Sequence, residues 1–241
     1  MLTQRLLPGI VGISTYVDFA YQREMQRTAV SSAGTTGPIN QLRTVTVTLN
    51  FSLLLENLAA GRREKAEQQV ADAAEMLQAA GSDFIVVTSG TTSTLTGLAR
   101  ARLSIPITDI AAACWNFGRP LSPVGLLSTR YAAAGGMFHA AAEKNRASLL
   151  VPSDQLAEQV DAIVFAELVL GKVSEPGIDV LVGAIGGLAA QGARSIILGN
   201  TDMTLAAAAL GARTDLAIVD AALAHARAAT HAALTGEILS G

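Results

Sequence analysis

The sequence predicts an α/β protein made of two similar three-layer α/β/α domains, each built on a parallel sheet. Three observations carry this. Short apolar runs of strand length alternate with longer helical patterns along the whole chain, the signature of crossover units and parallel sheets covered on both faces. Residues 79–93 and residues 190–204, spaced about 110 residues apart, share one pattern: a helix end closed by Gly81 or Gly192, a short β-branched run, then a turn of small hydroxyl and amide residues. A second echo relates Val11-Gly12-Ile13-Ser14-Thr15 to Val124-Gly125-Leu126-Leu127-Ser128-Thr129 at nearly the same spacing. The duplication places a first domain at 1–118 and a second at 119–219, with the closing helix 220–241 returning to the first. It also implies a pseudo-twofold relation with the site in the interdomain cleft.

In chain order, strands are expected at 9–14, 43–50, 84–88, 105–109, 123–128, 148–151, 194–199 and 215–219. Helices are expected at 16–31, 60–80, 92–102, 130–145, 153–170, 177–191, 202–210 and 220–235. Gly34-Thr35-Thr36-Gly37-Pro38 has loop chemistry and suits a mobile lid, and Arg119-Pro120-Leu121-Ser122-Pro123 reads as the interdomain linker.

The composition narrows the function. Of 241 residues, half are hydrophobic and 15% are charged, enough apolar side chain for a large core. A net charge of -3 gives no basic footprint and aromatics are only 4%, which argues against nucleic acid as a partner. Mean hydropathy is positive, at +0.40. No segment supplies the roughly 18 uninterrupted apolar residues of a membrane span, and the N-terminus lacks a signal peptide's apolar region. A soluble, cytoplasmic protein is expected. The single cysteine, Cys114, excludes an internal disulfide, and three histidines make a structural zinc site improbable. No metal and no cofactor are expected.

Ligands of such folds bind outside the carboxyl ends of the strands, where helix N-termini present free N–H groups. Four hydroxyl-rich turns fall there: Ser14-Thr15, Ser89 to Ser93, Ser128-Thr129 and Asn200 to Thr204. Exposed N–H groups with Ser and Thr hydroxyls suit a carboxylate or an enolate-like oxygen. Ser89-Gly90-Thr91-Thr92-Ser93 reads equally as an anion cradle or as a helix cap, and it lacks the Gly-Lys-Ser/Thr of a Walker A loop. Asp202 sits in a first helical turn, where it would stabilise the dipole or serve catalysis. His225, five residues after Asp220, titrates near neutrality and suits an acid or base. Arg130 after Ser128-Thr129 reads as a clamp for a substrate carboxylate or as a surface ion pair. His139 and His231 read as structural, and Cys114 beside Trp115 as a buried apolar residue.

These residues resemble the aspartate/glutamate racemase superfamily almost end to end, with the amino-acid racemase branch the nearest likeness. Gly81-Ser82-Asp83-Phe84-Ile85-Val86-Val87 resembles the strand leading to that family's Cys-Asn-Thr motif. Val124 to Tyr131 resembles its Gly-Thr-Arg-Tyr-Thr segment, and Glu167-Leu168-Val169-Leu170-Gly171-Lys172 its Glu-Leu-x-x-Gly-Lys helix end. Ile196 to Asp202 resembles Ile-Leu-Gly-Cys-Thr-Glu, and Asp220 with His225 matches the Asp and His of the closing helix. The resemblance implies a cofactor-independent site for a small carboxylate or carbonyl substrate, a homodimer, and Lys172 among the substrate-binding residues.

One departure outweighs the likeness. The family's racemases use two cysteines, one removing the α-proton and the other returning it. Ser89 and Asn200 occupy those positions here. A serine hydroxyl without a strong neighbouring base is a far poorer proton acceptor than a thiolate, and an amide is not a useful base. The expectation is therefore an isomerase or lyase that stabilises an oxyanion, with cyclisation, elimination or decarboxylation as candidate reactions. Its catalytic candidates are Asp202, His225, Ser89 and Asn200. Its substrate-binding candidates are Ser14, Gly90, Thr91, Thr92, Ser128, Thr129, Arg130, Lys172 and Thr201. The alternatives are a non-catalytic carboxylate-binding or regulatory homologue, and a racemase using Ser89 with a neighbour.

Overall fold

The computed structural model describes residues 4–33 and 41–239; the expected lid at Gly34 to Pro38 lies outside the described residues. The chain divides into two compact units, Met1–Asp109 with His225–Gly241, and Ile110–Ala224. Arg119 to Pro123, read from the sequence as a linker, falls within the second of these. There the Leu121 N–H donates to Ser195 Oγ (2.9 Å) and Ser195 Oγ donates to the Leu121 carbonyl (2.9 Å).

The first unit runs β1 (Pro8–Gly12), α1 (Thr15–Ala33), β2 (Val45–Thr48), α2 (Phe51–Ala59), α3 (Arg63–Ala79), β3 (Phe84–Val87), α4 (Gly90–Ser93) and α5 (Gly97–Arg102). Its parallel strands lie in the order β2-β1-β3. The expected strand at 105–109 shrinks to one bridge, Ile107 beside Ile85. Pro106 has no N–H to give to a ladder, although its carbonyl accepts from the Ile85 N–H (2.9 Å). Alternate strand residues Val11, Ile13, Ile85 and Val87 enter one core with Ala71, Ala74 and Leu77 of α3 and Ala99 of α5. Helix α2 was not expected from the sequence. Asn50 starts it by accepting from the Leu53 N–H (3.1 Å), and Gly61, at φ +69°, separates it from α3.

The second unit opens on α6 (Ile110–Ala113) and a π-helical turn (Cys114–Gly118), neither of which the sequence reading included. It continues through β4 (Val124–Leu127), α7 (Arg130–Ala134), α8 (Met137–Lys144), β5 (Leu149–Leu150), α9 (Asp154–Ala166), α10 (Glu175–Ala190), β6 (Ser195–Leu198), a 3-10 turn (Thr201–Leu205), α11 (Ala207–Gly211), β7 (Ala217–Asp220) and the first turn of α12 (Ala221–Thr235). The order β5-β4-β6-β7 is again wholly parallel. Both units therefore place the first strand between the second and third and add the last pairing beside the third. Both faces of the sheet are covered. Leu127, Ile196 and Leu198 join Val160, Val164, Leu181, Ile185 and Leu188 of α9 and α10, while Val124, Leu126 and Ile197 join Ile110, Cys114 and Phe138.

Single helices expected at 130–145, 153–170, 202–210 and 92–102 are each broken in two. Gly136, at φ +74°, divides the first, and Glu167 with Gly171, at φ +72°, sets off a 3-10 turn at the end of the second. Residues 201–205 tighten into 3-10 geometry, and Thr94–Thr96 interrupt the last.

The two copied segments share their hydrogen bonds as well as their residues. After α3, the Ser82 N–H donates to the Leu77 carbonyl and Gly81 N–H to Gln78; after α10, Ala193 N–H donates to Leu188 and Gly192 N–H to Ala189. Both are Schellman closures, and both need a left-handed residue, supplied by Gly81 (φ +87°) and Gly192 (φ +98°). Each closure turns the chain into a central strand whose carboxyl end carries a candidate turn. From His225 onward α12 belongs with α1: Thr230 Oγ1 donates to the Met25 carbonyl and Arg227 Nε to Glu24 Oε1.

Candidate functional site

In the first unit, Ser89 follows β3 in extended backbone (φ −143°, ψ 130°) and caps α4, its Oγ accepting from the Thr92 N–H at 3.1 Å. Its carbonyl accepts from Ser93 Oγ (2.7 Å). Ser89, Gly90, Thr91 and Thr92 are all buried, and Thr92 Oγ1 has no hydrogen-bond partner. The bonds that hold Ser89 come from a backbone N–H and a hydroxyl. Ser14, after β1, is also buried, and its Oγ has no hydrogen-bond partner.

The sequence reading missed Asp18, four residues beyond Ser14. Its Oδ1 accepts from Thr88 Oγ1 (2.7 Å) and from the Ile13 N–H (3.3 Å). Burial raises its pKa, against the lowering effect of these two bonds. A Cβ on Gly12 would collide with the Asp18 carboxylate and lie 3.1 Å from Thr48 Oγ1, so the absence of a side chain at the end of β1 is what admits the acid. The available signal was an acid in the first turn of a helix, a position too common to single out.

In the second unit, Asn200 takes the equivalent place after β6. It caps the 3-10 turn, Oδ1 accepting from the Asp202 N–H at 3.0 Å, and Asn200, Thr201 and Asp202 are buried. Thr204 Oγ1 donates to Asp220 Oδ2 (2.6 Å), and Asp220 Oδ1 accepts from the Leu223 N–H (3.1 Å) at the start of α12. Asp220 is thus a cap and a brace for this turn. Gly199, just before Asn200, is a point of close approach: a Cβ there would lie 2.7 Å from Leu126 Cδ1 and 3.1 Å from Ser128 Cβ.

Ser128 is buried with its Oγ unpartnered, and Thr129 Oγ1 caps α7 by accepting from the Ala132 N–H (3.3 Å). A pocket of about 260 Å³ opens where β4 and β5 end, lined by Leu126, Ser128, Arg130, Val151, Pro152 and Ala157 among others. The guanidinium of Arg130 is already engaged, Nε donating to Asp161 Oδ2 (2.8 Å) and Nη1 to Glu158 Oε1 (3.1 Å). Arg130 thus forms a surface ion pair with both acids. Lys172 follows the left-handed Gly171, its N–H donating to the Glu167 carbonyl (3.0 Å).

His225 is placed in the first unit and is wholly buried. Tyr21 Oη lies 3.0 Å from Nδ1 and Thr108 Oγ1 2.7 Å from Nε2. Thr108 spends its own hydrogen on the Ile85 carbonyl (3.0 Å), so its oxygen accepts from Nε2–H, and Tyr21 donates to Nδ1. Burial pushes the imidazole pKa down to about 3. The ring is thus neutral, with both nitrogens held by protein hydroxyls. Cys114 is buried in the apolar core of the second unit, its thiol donating to the Ile110 carbonyl (3.3 Å), and lies at neither strand-end turn. Among the described residues no three His, Cys, Asp or Glu side chains cluster to hold a metal, and no helix is long and apolar enough to cross a membrane.

Two α/β units of one topology, each with a capped polar turn after its third strand, define the class. The Asp/Glu/Hydantoin racemase family model matches residues 20–229, and the chain belongs to that family. Its structural likenesses agree. A candidate Asp/Glu racemase from Yersinia pestis is 27% identical, with a TM-score of 0.79 over 96% of this chain and 100% of the other. An aspartate racemase homologue from Pyrococcus horikoshii OT3 is 21% identical, with a TM-score of 0.71 over 97% and 99%. The Picrophilus torridus aspartate racemase shares the fold at 13% identity and a TM-score of 0.74 over 98% and 96%.

Proposed function

We propose that this protein is a cofactor-independent isomerase or lyase that acts on a carboxylate or carbonyl compound by stabilising an enolate-type oxyanion, without a thiolate pair. The observation that carries the reading is the pair of equivalent turns after β3 and β6. Each keeps its capped, N–H-presenting geometry, while the proton-transferring side chain expected there is replaced by Ser89 or Asn200. Removal of an α-proton, or loss of carbon dioxide, leaves an electron pair that delocalises onto a carbonyl oxygen; return of a proton to carbon completes the turnover. Backbone N–H groups and hydroxyls fixed before the reaction stabilise that charge without reorganising. Asp202 is the proton-handling group in this reading. Asp18 is a second acid at the carboxyl end of β1, its proton affinity raised by burial.

The same replacement of both thiols favours a second reading, a carboxylate-binding homologue without turnover. Incubation in deuterium oxide with a panel of 2-substituted carboxylates, malonates and hydantoins, followed by proton NMR, separates the two. Deuterium entry, decarboxylation or a new product, lost on Thr91→Ala and Thr201→Ala, is the expected result. Thermal stabilisation by carboxylates with no exchange and no product would leave the binding protein standing and remove the enzyme.

A further inference from the structure

The pocket beside Ser128 narrows the substrate class, and the inference rests on the functional reading above. We infer that it seats an apolar substituent of the substrate, so that the preferred ligand is a monocarboxylate or monocarbonyl compound bearing an aryl or branched alkyl group, not a diacid.

Four observations converge. The pocket wall is largely hydrocarbon: Leu126 below, Ala133 and Ala134 from α7, Val151 and Pro152 after β5, and Ala157 from α9. Its volume of about 260 Å³ exceeds the roughly 150 Å³ cavity that accepts benzene, which leaves room for a ring and a short chain. Ser128 on that wall is 5% exposed, and its Oγ is buried without a protein partner. A buried hydroxyl left unpaired is unfavourable. Finally, the pocket adjoins the turn that holds Asn200. Gly199 brings its backbone against Leu126 and the Cβ of Ser128, and a larger residue at 199 would collide with both. A substrate oxygen held at Asn200-Thr201 therefore has the apolar recess next to it.

The electrostatics select against a second carboxylate. Arg130, the cation on the wall, is committed to Asp161 and Glu158, and Asp154 adds another acid at the rim. A distal carboxylate would meet these three acids with Arg130 already paired and only the exposed imidazole of His139 left to answer it, a cost that an aryl group avoids.

Calorimetric titration of the full chain with phenylacetate, benzyl alcohol and succinate tests this. Phenylacetate carries both groups, benzyl alcohol only the apolar one, and succinate only carboxylates. Phenylacetate is expected to bind most tightly and to weaken at least tenfold in Ala157→Phe. Ala134→Phe, at an exposed position, gives the same readout should the first variant fold poorly. Succinate binding as tight as phenylacetate, unmoved by either substitution, would overturn the pocket assignment while leaving the strand-end turns as the carboxylate site. Benzyl alcohol binding as tightly as phenylacetate, lost in both variants, would support the pocket and instead remove the turns as a carboxylate site.

Discussion

Acidification isolates what His225 does for the fold. In the unfolded chain the imidazole takes up a proton near pH 6.5; in the folded protein burial delays this to about pH 3. Between those values the unfolded state binds the proton that the native state refuses, so stability is present above pH 6.5 and is lost as pH falls towards 3. From pH 7.5 to pH 5 the loss from this one residue is about 2 kcal/mol, a large fraction of the roughly 5–15 kcal/mol that holds a typical domain together. Asp18 acts with the opposite sign, since its raised pKa favours the native state in acid, and wild type alone would blend the two. Urea denaturation of wild type and His225→Gln at pH 7.5 and 5.0 separates them, because Asp18 is common to both. The variant is expected to be weaker at pH 7.5, having disturbed the Tyr21 and Thr108 bonds, but to lose about 2 kcal/mol less on acidification. Equal pH dependence in the two proteins, or a His225 ring signal that titrates near pH 6.5 in the folded state, would refute the reasoning.

The turns and cores yield further expectations. Ser89→Ala and Asn200→Ala each remove a side-chain cap and should lower stability by about 1 kcal/mol in urea melts. Gly12→Ala drives a methyl into the Asp18 carboxylate and should destabilise by about 1–3 kcal/mol; unchanged melting would mean that Asp18 moves freely. Phe138→Ala empties a fully buried site against Leu126 and should cost about 3–5 kcal/mol, with a smaller loss pointing to collapse of the surrounding helices.

The parallel α/β character is legible because the strands are short apolar or β-branched runs closed by loop signals, and because the Gly81 and Gly192 closures repeat with their strands. Those patterns are local, and they survive translation into hydrogen bonds. What was not legible was set by tertiary contact. No propensity separates Ile107, which pairs through one bridge beyond β3, from a full strand; Pro106 withholds the N–H that would extend it. Helix α2 hides behind the hydrophobic run that follows Asn50, and the breaks at Gly136 and Glu167 fall where packing overrides helical periodicity.

The candidate site divides in the same way. Ser89, Thr91, Asn200 and Thr201 stand at strand ends, where a local pattern suffices to place them. The company a side chain keeps is a long-range fact. His225 suggests a proton carrier because histidine titrates near neutrality, yet Tyr21 and Thr108, more than a hundred residues away in sequence, occupy both nitrogens, and burial keeps the ring neutral. Asp18 does not stand out in the sequence because nothing near it announces Thr88. A reaction that ends in an oxyanion asks for such an acid, together with fixed hydrogen-bond donors. In the proposed reading Ser89 and Asn200 offer no thiolate pair for a symmetric two-base exchange, and what the two duplicated turns share is a side-chain cap directly after the strand.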